Sequence, residues 1–367
     1  MLNKIYRKGL WVLDSLVGRL HLFLERTHFI AALRFSFYKK IDNSIFVKHR
    51  YPSNVLEKDL PLFAHYTDYH TASEEVFALN DVNVSERGVV FSGFNNFKYA
   101  FPHIVFRATY GWRYLVGQYL TLKKNKLPGG KTYILIYDFW SAGNYYHWLI
   151  DTLPRLWIIR AELEQEGYAL LLPENAPVFI KASLAYFEIK QVVPIRKTEF
   201  VSIANLLVSH YSAGSGHIHP QKIREIKEHF IQKINLPFSK KLIYVSRGRQ
   251  KTRRVINEAS VIQYLQPLGF EVIYFEDHNF EEQVSLAKNA QVIISSHGAN
   301  LTNALFMQEN TRVLELIRED SPNFCYWALC NVVNVKYYYQ LCPVAKKDHL
   351  LVDLELFKLN LQKILYA

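Results

Sequence analysis

The sequence predicts an α/β protein with two domains. Its 367 residues are enough for two hydrophobic cores at the usual size of about 100–200 residues per domain. From Lys131 onward, short β-rich apolar runs alternate with segments of helical period, which is typical of a parallel sheet covered by helices. A proline-containing break at 235–239 separates a first set of these units from a second set.

Composition limits the function classes. Half of the residues are hydrophobic and 21% are charged, which predicts a packed globular protein. The net charge of +11 favours anionic partners, namely nucleic acid, phosphorylated molecules or an acidic membrane surface. We expect no nucleic-acid partner, because the basic residues form one short loop without a zinc-finger, RRM or helix-turn-helix pattern.

Cysteine usage and hydropathy predict a cytoplasmic protein. Three cysteines are too few and too irregularly spaced for a disulfide framework, so we expect buried free thiols in a reducing compartment. No apolar stretch approaches the roughly 20 residues of a membrane-spanning helix, and no signal peptide is recognisable.

Residues 1–44 are predicted to form a basic, amphipathic, helical N-terminal segment. The first 40 residues carry eight basic and two acidic side chains. Apolar residues recur at steps of three and four, which aligns one stripe on a helix: Leu10, Leu13, Val17, Leu20 and Leu24. Such a helix either lies on an anionic membrane surface, through residues 1–40, or docks on the core of the protein itself.

The remaining chain divides into three parts. Residues 45–236 are assigned to a first α/β domain, in which 45–125 shows no clean period and predicts irregular strands and loops. Strands of this domain are predicted at 133–137, 178–180, 192–193 and 206–208. Residues 237–345 form a second α/β domain, with strands at 242–245, 271–275, 291–295 and 313–317 and helices near 257–266, 280–289 and 300–306. Residues 346–367 form a closing amphipathic helix.

A polar stripe on a helix of the first domain is the first candidate for chemistry. At helical spacing, Asn144, His147 and Asp151 share one face, and Arg155 lies one turn further. A carboxylate beside an imidazole fixes its tautomer, so either His147 or Asp151 can accept a proton from a hydroxyl group. The alternative is a pair that only crosslinks the domain.

A basic loop is the second candidate. Five cations follow the strand at 242–245, directly before a helix that Asn257 and Glu258 begin: Arg247, Arg249, Lys251, Arg253 and Arg254. Guanidinium groups form bidentate hydrogen bonds with a diphosphate. The alternatives are a solvated charge run and a nucleic-acid patch.

A glycine turn is the third candidate. The strand at 291–295 leads through Ser296, Gly298 and Ala299 into a helix, whose free N–H groups can bind an anion, with His297 at the edge. Glu315 lies within the next strand, where an ionised carboxylate is costly unless paired, so we expect a ribose hydroxyl or an arginine as its partner. The sequence contains neither a Walker-type phosphate loop nor a dinucleotide fingerprint.

In this order, the three motifs resemble the family 61 glycosyltransferases, known in bacteria as capsular polysaccharide biosynthesis proteins. The resemblance covers about 133–317. Asn300 departs from the family, whose members usually carry glycine there. The matching residues are Asn144, His147, Trp148, Asp151, Leu153, Pro154, Arg155, Arg247, Arg253, Arg254, Ile256, Asn257, Glu258, Phe280, Gln283, Ala290, His297, Gly298, Ala299, Leu301, Thr302, Asn303, Phe306 and Glu315.

The resemblance implies a GT-B fold, in which two Rossmann-like domains face each other across a cleft. It implies an inverting transfer of a sugar from a nucleotide sugar, without an essential metal or cofactor, to a glycan of capsule, lipopolysaccharide or exopolysaccharide. The expected acceptor is lipid-linked, which implies a peripheral position on the inner face of the cell membrane. Arginines, His297 and the helix start replace the metal in stabilising the leaving diphosphate.

The resemblance also assigns roles to residues. Asp151 is the favoured base, His147 positions it or shares the proton, and Asn144 and Arg155 position the acceptor. The donor is bound by Arg247, Arg253, Arg254, Asn257, Glu258, Ser296, His297, Gly298, Ala299, Asn303 and Glu315. Two other classes remain open: a non-catalytic nucleotide-sugar-binding or scaffold protein of polysaccharide assembly, and a basic nucleic-acid-binding protein.

Overall fold

A computed structural model describes residues 33–101, 109–214, 216–234 and 239–366. The chain is an α/β protein, as the sequence predicts. It contains a nine-stranded and a five-stranded sheet. The strands of the first half are β1 (Ser36–Ile41), β2 (Phe46–Lys48), β3 (Asp68–His70), β4 (Glu74–Ser85), β5 (Val90–Ser92), β6 (Asn95–Asn96), β7 (Lys123–Lys126), β8 (Thr132–Leu135), β9 (Tyr168–Pro173), β10 (Val192–Ile195) and β11 (Glu199–Ser209). Those of the second half are β12 (Lys241–Val245), β13 (Phe270–Ile273), β14 (Ala290–Ser296), β15 (Arg312–Arg318), β16 (Lys336–Cys342), β17 (Val344–Lys346) and β18 (His349–Leu350).

The helices lie between and after these strands. The α-helices are α1 (Ala64–Thr67), α2 (Trp112–Thr121), α3 (Leu153–Leu163), α4 (Val178–Leu184), α5 (Pro220–Lys233), α6 (Glu258–Leu265), α7 (Phe280–Asn289), α8 (Cys325–Val332) and α9 (Leu354–Tyr366). A π-helix occupies His147–Thr152, and 3-10 helices occupy Glu57–Phe63, Lys98–Ala100, Gln266–Leu268, Phe275–Asp277 and Ala299–Phe306. None of the described helices is long and apolar enough to span a lipid bilayer.

The first sheet is mixed. Strands β10, β9, β8 and β11 are parallel, whereas β11 pairs antiparallel with β4, which continues to β5 and β6. The antiparallel half distinguishes this sheet from the Rossmann-like domain that the resemblance implies. Strand β4 also corrects the expectation of irregular structure over 45–125. Its alternation is interrupted at Asp81, which has a φ of 52° in the left-handed region.

Two further expectations for the first half are wrong. Residues 178–180 form the start of helix α4, which begins directly after Pro177, and only Ile180 of the three is buried. Residues 36–41, included in the predicted N-terminal helical segment, form strand β1 at the edge of β4. The apolar stripe from Leu10 to Leu24 lies outside the described residues, as do 235–238 of the predicted break.

The second sheet is fully parallel, in the order β13-β12-β14-β15-β16. Strands β12 to β15 and helices α6 and α7 confirm predicted elements, whereas strand β16 and helix α8 were not predicted. The predicted closing helix over 346–367 is shorter than expected, because β18 occupies His349–Leu350 and α9 begins at Leu354. The strand order reverses between β12 and β14, so the loops that follow these two strands border a crevice at the carboxyl edge. Those loops are the basic loop and the glycine turn.

One hydrophobic cluster continues through both halves of the protein. Phe230 of α5 packs on Phe280 and Phe306 of the second half, with ring centroids 5.3 and 5.9 Å away. The segment before α1 also crosses over, because the Tyr339 hydroxyl of β16 donates a 2.6 Å hydrogen bond to Asp59. Residues assigned to the first domain therefore cover part of the second sheet.

A buried histidine makes the fold sensitive to acid. His49 packs against Tyr69 and Trp327, and burial lowers its pKa to about 4. Between about pH 6.5 and pH 4 the unfolded chain binds a proton that the folded chain does not. We therefore expect the free energy of unfolding to fall by about 3 kcal/mol over this window on account of His49. Urea unfolding across this pH range measures the change.

His49→Phe should lose that part of the pH dependence, whereas His70→Gln, at an exposed position on β3, should keep it. Burial lowers the pKa of other histidines as well, so the variant retains a smaller slope. An identical slope in His49→Phe and the unaltered protein would contradict the prediction.

Candidate active site

The three sequence motifs meet where the two sheets face each other. Ring contacts lead from one half to the other: His147 to Tyr146 at 5.4 Å, Tyr146 to Tyr326 at 5.5 Å, and Tyr326 to His297 at 5.1 Å. Beside this chain, the Tyr145 hydroxyl donates a 2.8 Å hydrogen bond to Asn303. The histidine motif of the first half therefore adjoins the glycine turn of the second.

A proline shapes the segment that carries the first motif. Pro154 is the second residue of α3, directly after the π-helix His147–Thr152. Proline has no N–H group and crowds the carbonyl of the preceding turn, which favours a widened turn at this place. The wider turn keeps the predicted contact between His147 and Asp151.

His147 and Asp151 form a buried hydrogen-bonded pair. The Nδ1 atom of His147 lies 2.7 Å from Oδ2 of Asp151, and the imidazole stacks on Trp140 at 4.7 Å. The His147 side chain is 19% exposed and that of Asp151 8%. Burial raises the pKa of Asp151, the hydrogen bond from His147 lowers it, and the nearby Asp138 raises it further. The pair has the composition of a general base with an orienting partner.

Asp138, which we did not predict, organises the loop behind this pair. Its carboxylate accepts hydrogen bonds from the backbone N–H groups of Trp140 and Ser141, at 2.6 and 3.0 Å, and from the Tyr211 hydroxyl. These bonds fix the segment whose indole stacks on His147. The available signal was an aspartate with a serine three residues later, directly after a predicted strand, which is typical of a turn.

The predicted acceptor-positioning residues have internal roles. Arg155 is fully buried, donates a 2.7 Å hydrogen bond from Nε to the carbonyl of Ser209, and lies over the Tyr211 ring. Its Nε atom therefore attaches α3 to β11, while its buried Nη1 and Nη2 atoms have no hydrogen-bond partner among the described residues. The Asn144 side chain accepts a 2.9 Å hydrogen bond from the backbone N–H of Tyr146, at the start of the helical segment.

Arg247 is the cation closest to the glycine turn. Its side chain is buried, and a Cβ atom at Gly298 would overlap its guanidinium group. The φ of Gly298 is 166°, which any residue can adopt. Glycine is therefore required here because there is no room for a side chain. Among the described residues, the buried Nε atom of Arg247 has no hydrogen-bond partner. Burial lowers the pKa of Arg247. An unpaired buried guanidinium fits an anionic ligand.

The other arginines of the basic loop have contacts within the protein. Arg249 forms two hydrogen bonds to Asp277, at 2.6 and 2.7 Å, and lies over Tyr274. Arg254 donates from Nε to the carbonyl of Gln250. The carbonyl of Arg253 accepts a 2.9 Å hydrogen bond from the hydroxyl of Ser296, which connects the basic loop to the glycine turn.

Asn257 and Glu258 support the basic loop from behind. The Asn257 side chain exchanges two hydrogen bonds with the backbone of Val352, at 2.8 and 3.0 Å. Glu258 accepts from the hydroxyls of Tyr244 and Ser246, both at 2.9 Å. Both predicted donor-binding side chains are therefore bonded to the protein itself.

Glu315 pairs with His297 and not with an arginine, so that part of the expectation is wrong. The carboxylate is fully buried, contacts Nδ1 of His297 and accepts a 2.6 Å hydrogen bond from the Tyr337 hydroxyl. Parallel pairing of β14 with β15 places Ser295 beside Glu315, which brings His297 within reach. Each half of the protein thus presents a histidine held by a buried carboxylate.

A cleft of about 280 Å³ opens beside these residues, between the two halves. The Asn300 side chain, at the position that departs from the family, lines it with a buried Nδ2 atom that has no partner in the described part of the chain. Its walls come from the residue pair before the π-helix, from α4 and α7, and from the segments after β12, β13 and β14: Tyr145, Val178, Phe179, Gln250, Phe275, Glu276, His278, Asn279, Phe280, Gln283, Ala299 and Asn300.

Comparison with known proteins identifies this region. The family model Glycosyltransferase 61 matches residues 145–314. Over an alignment of 185 residues, which covers 48% of the chain, it is 27% identical to the protein O-linked-mannose beta-1,4-N-acetylglucosaminyltransferase 2 of Bos taurus. Over an alignment of 122 residues, which covers 31% of the chain, it is 28% identical to the EGF domain-specific O-linked N-acetylglucosamine transferase of Drosophila melanogaster.

Residues 145–314 are therefore similar to glycosyltransferase family 61, which supports the resemblance that the three motifs predict. The matched region spans 29% of the cattle protein and 23% of the fly protein. It contains the His147–Asp151 pair, Arg247 and His297, and Glu315 follows directly after it.

Gly298→Ala should weaken anion binding. The added methyl group displaces the Arg247 guanidinium, so we expect at least a tenfold loss of affinity for a nucleoside diphosphate, measured by isothermal titration calorimetry. Gly117→Ala is the matched control, because a Cβ at that position of α2 meets no other atom within 4 Å. Equal affinities in the two variants would refute a role of Arg247 in anion binding.

Proposed function

We propose that this protein transfers a sugar from a nucleotide-sugar donor to a hydroxyl group of a glycan. The observation that carries the proposal is that the rings of Tyr146 and Tyr326 link the His147–Asp151 pair to the glycine turn, against which Arg247 packs. A base on one side and a cation on the other are what a displacement at a sugar carbon requires.

The second half is the donor side of this proposal. Departure of a nucleoside diphosphate leaves negative charge on its oxygens, and the guanidinium of Arg247 and the N–H groups after Gly298 are suited to stabilise it. His297, held by Glu315, stands at the same turn. We propose that these groups make a metal ion unnecessary. The crevice after β12 and β14 is where doubly wound sheets bind nucleotides, which supports a GT-B arrangement.

The first half supplies the base. Asp151 is the more buried member of the pair and bonds to Nδ1 of His147, and Nε2 of His147 has no hydrogen bond to any residue in the described ranges. The arrangement favours His147 as the group that receives the proton of the acceptor hydroxyl, with Asp151 behind it stabilising the charged imidazole. This assignment reverses the order of roles expected from the sequence. Attack from the side opposite the diphosphate inverts the anomeric carbon.

The proposed substrates rest on the names of the relatives and on the basic residues of 1–40. Both relatives are named for N-acetylglucosamine, so nucleotide-activated N-acetylglucosamine is the first donor to test. We propose a lipid-linked glycan of capsule, lipopolysaccharide or exopolysaccharide as the acceptor. The basic residues of 1–40 would hold the enzyme on the anionic inner face of the cell membrane. Three free, buried cysteines agree with a cytoplasmic location.

A thermal-shift screen of nucleotide sugars, with and without EDTA, tests the donor. A bound donor at about 100 times its Kd adds about 2.7 kcal/mol to the free energy of unfolding, so the melting temperature should rise equally with and without chelator. His147→Ala and Asp151→Asn should keep this shift and lose at least 100-fold in kcat. If EDTA abolishes the thermal shift, the proposed metal independence is refuted. If both variants transfer sugar at the full rate, the assignment of this pair as the base is refuted.

Asp138→Asn tests whether Asp138 raises the pKa of Asp151 in the His147–Asp151 pair. Removing this negative charge lowers the pKa of Asp151, so the acid limb of the pH–activity profile should move to lower pH. The amide oxygen still accepts from the backbone of Trp140, so activity above the limb should change less than tenfold. Asp68→Asn, at an exposed position, is the control. A uniform loss at every pH would mean that Asp138 has only a structural role.

A further inference from the structure

An exposed aromatic cluster lies at the edge of the first sheet. Phe35 and Phe37 contact each other, with ring centroids 5.9 Å apart, and both pack on the buried Phe77, at 5.2 and 5.3 Å. Tyr99 joins them, 5.6 Å from Phe35. Despite these contacts, Phe35 and Phe37 remain 41% and 46% exposed. Exposed rings that share one apolar patch indicate an interaction surface.

Two lysines lie over this cluster. The Nζ atom of Lys40 is 4.5 Å from the centroid of Phe37, and that of Lys98 is 4.7 Å from the centroid of Tyr99. We call these five residues, Phe35, Phe37, Lys40, Lys98 and Tyr99, the β1 patch. Aromatic rings combined with flexible cations suit the boundary between lipid headgroups and acyl chains.

The charge of the residues next to the β1 patch indicates which partner it binds. Residues 33–50 carry one acid, Asp42, and five cations: Arg34, Lys39, Lys40, Lys48 and Arg50. From β4, Glu75 lies 3.3 Å from Lys40 and Glu74 lies 4.0 Å from Lys39, which leaves a positive balance. Residues 1–32, which join this region directly, also carry more basic than acidic side chains. Like charges disfavour docking of that segment, or of a second copy of the chain, on the patch. Both regions are instead attracted to the same anionic lipid surface.

The patch is connected to the candidate active site. Lys39, next to Lys40 on β1, donates a 3.1 Å hydrogen bond to the carbonyl of Ile158 in α3. Asp151 precedes Ile158 by seven residues, or about 10 Å along a helix. On the other side, Tyr99 contacts the ring of His210, which adjoins Tyr211. A membrane surface in contact with β1 would therefore lie near the His147–Asp151 pair.

We propose that the β1 patch contacts the interface of an anionic membrane as a folded element, in addition to the N-terminal segment. The inference rests on the proposed membrane association and extends it to identified side chains. It accounts for two aromatic rings left exposed beside a lysine pair. It also gives the protein a fixed orientation, because a folded element contacts the surface.

A site-specific fluorophore tests the contact. The three native cysteines are buried, so Phe37→Cys offers the accessible thiol for an environment-sensitive dye on the full chain. With vesicles of phosphatidylcholine and phosphatidylglycerol we expect a blue shift and quenching by brominated lipid, and no change with phosphatidylcholine alone. The matched position is Leu120→Cys, 80% exposed on α2, where we expect no change.

A second pair of variants measures the energetic contribution. Phe37→Ser combined with Lys98→Glu should weaken vesicle partitioning at least fivefold, since each basic residue near an anionic surface contributes about 1 kcal/mol. Leu120→Ser should bind vesicles as the unaltered chain does. All variants should transfer sugar to a soluble acceptor at an unchanged rate.

The other outcomes overturn the inference in distinguishable ways. If the chain ignores anionic vesicles, the proposed membrane association fails together with the patch. If the chain binds vesicles while the dye at position 37 does not respond, the patch alone fails. A dye already shielded without lipid means that the N-terminal segment or a second copy covers the patch. A raised KM for the soluble acceptor, with vesicle binding unchanged, identifies the rings as a glycan platform instead.

Discussion

The contact of Tyr146 with Tyr326 is the constraint on which the site depends. These two buried rings join the His147–Asp151 pair of the first half to the His297–Glu315 pair of the second. Around them, Phe230 packs on Phe280 and the two halves share one hydrophobic cluster. Because the cluster is continuous, the distance between the two histidines is set by core packing and not by surface loops.

The two histidine–carboxylate pairs have the same construction and different surroundings. Asp151 lies near another carboxylate, Asp138, whereas Glu315 is surrounded by tyrosine and cysteine side chains of the second half. Next to the second pair stands Arg247, which the structure leaves without a hydrogen bond at Nε within the described ranges. A negative neighbour favours proton uptake on one side of the cleft, and a cation favours anion binding on the other.

Local patterns predicted those elements whose signal lies in consecutive residues. The four strands β12 to β15 are short apolar runs between turn residues, and His147 and Asp151 are four residues apart on one helical segment. Strand β4 was missed because Asp81 breaks its alternation. The three apolar residues at 178–180 fit a helix as well as a strand, because so short a run has no period that distinguishes the two.

Contacts between distant segments were not predictable in the same way. Leu135 pairs with Val208 in the sheet, and Asp138 and Tyr211 each lie three residues further along the chain. Nothing in either segment alone indicates that the two side chains meet. The same applies to Asn257, whose side chain bonds to Val352, and to Arg155, which bonds to the carbonyl of Ser209. Their polar character suggested ligands, and tertiary pairing supplied protein partners.

The shared hydrophobic cluster has a consequence for how substrates enter. A rigid-body opening of the two halves would expose Phe230, Phe280 and Phe306 to water, at a cost of about 2 kcal/mol for each ring. In the proposed transfer reaction, a large donor would therefore enter by local motion of the segments that border the crevice, while the hydrophobic cluster beneath them stays closed.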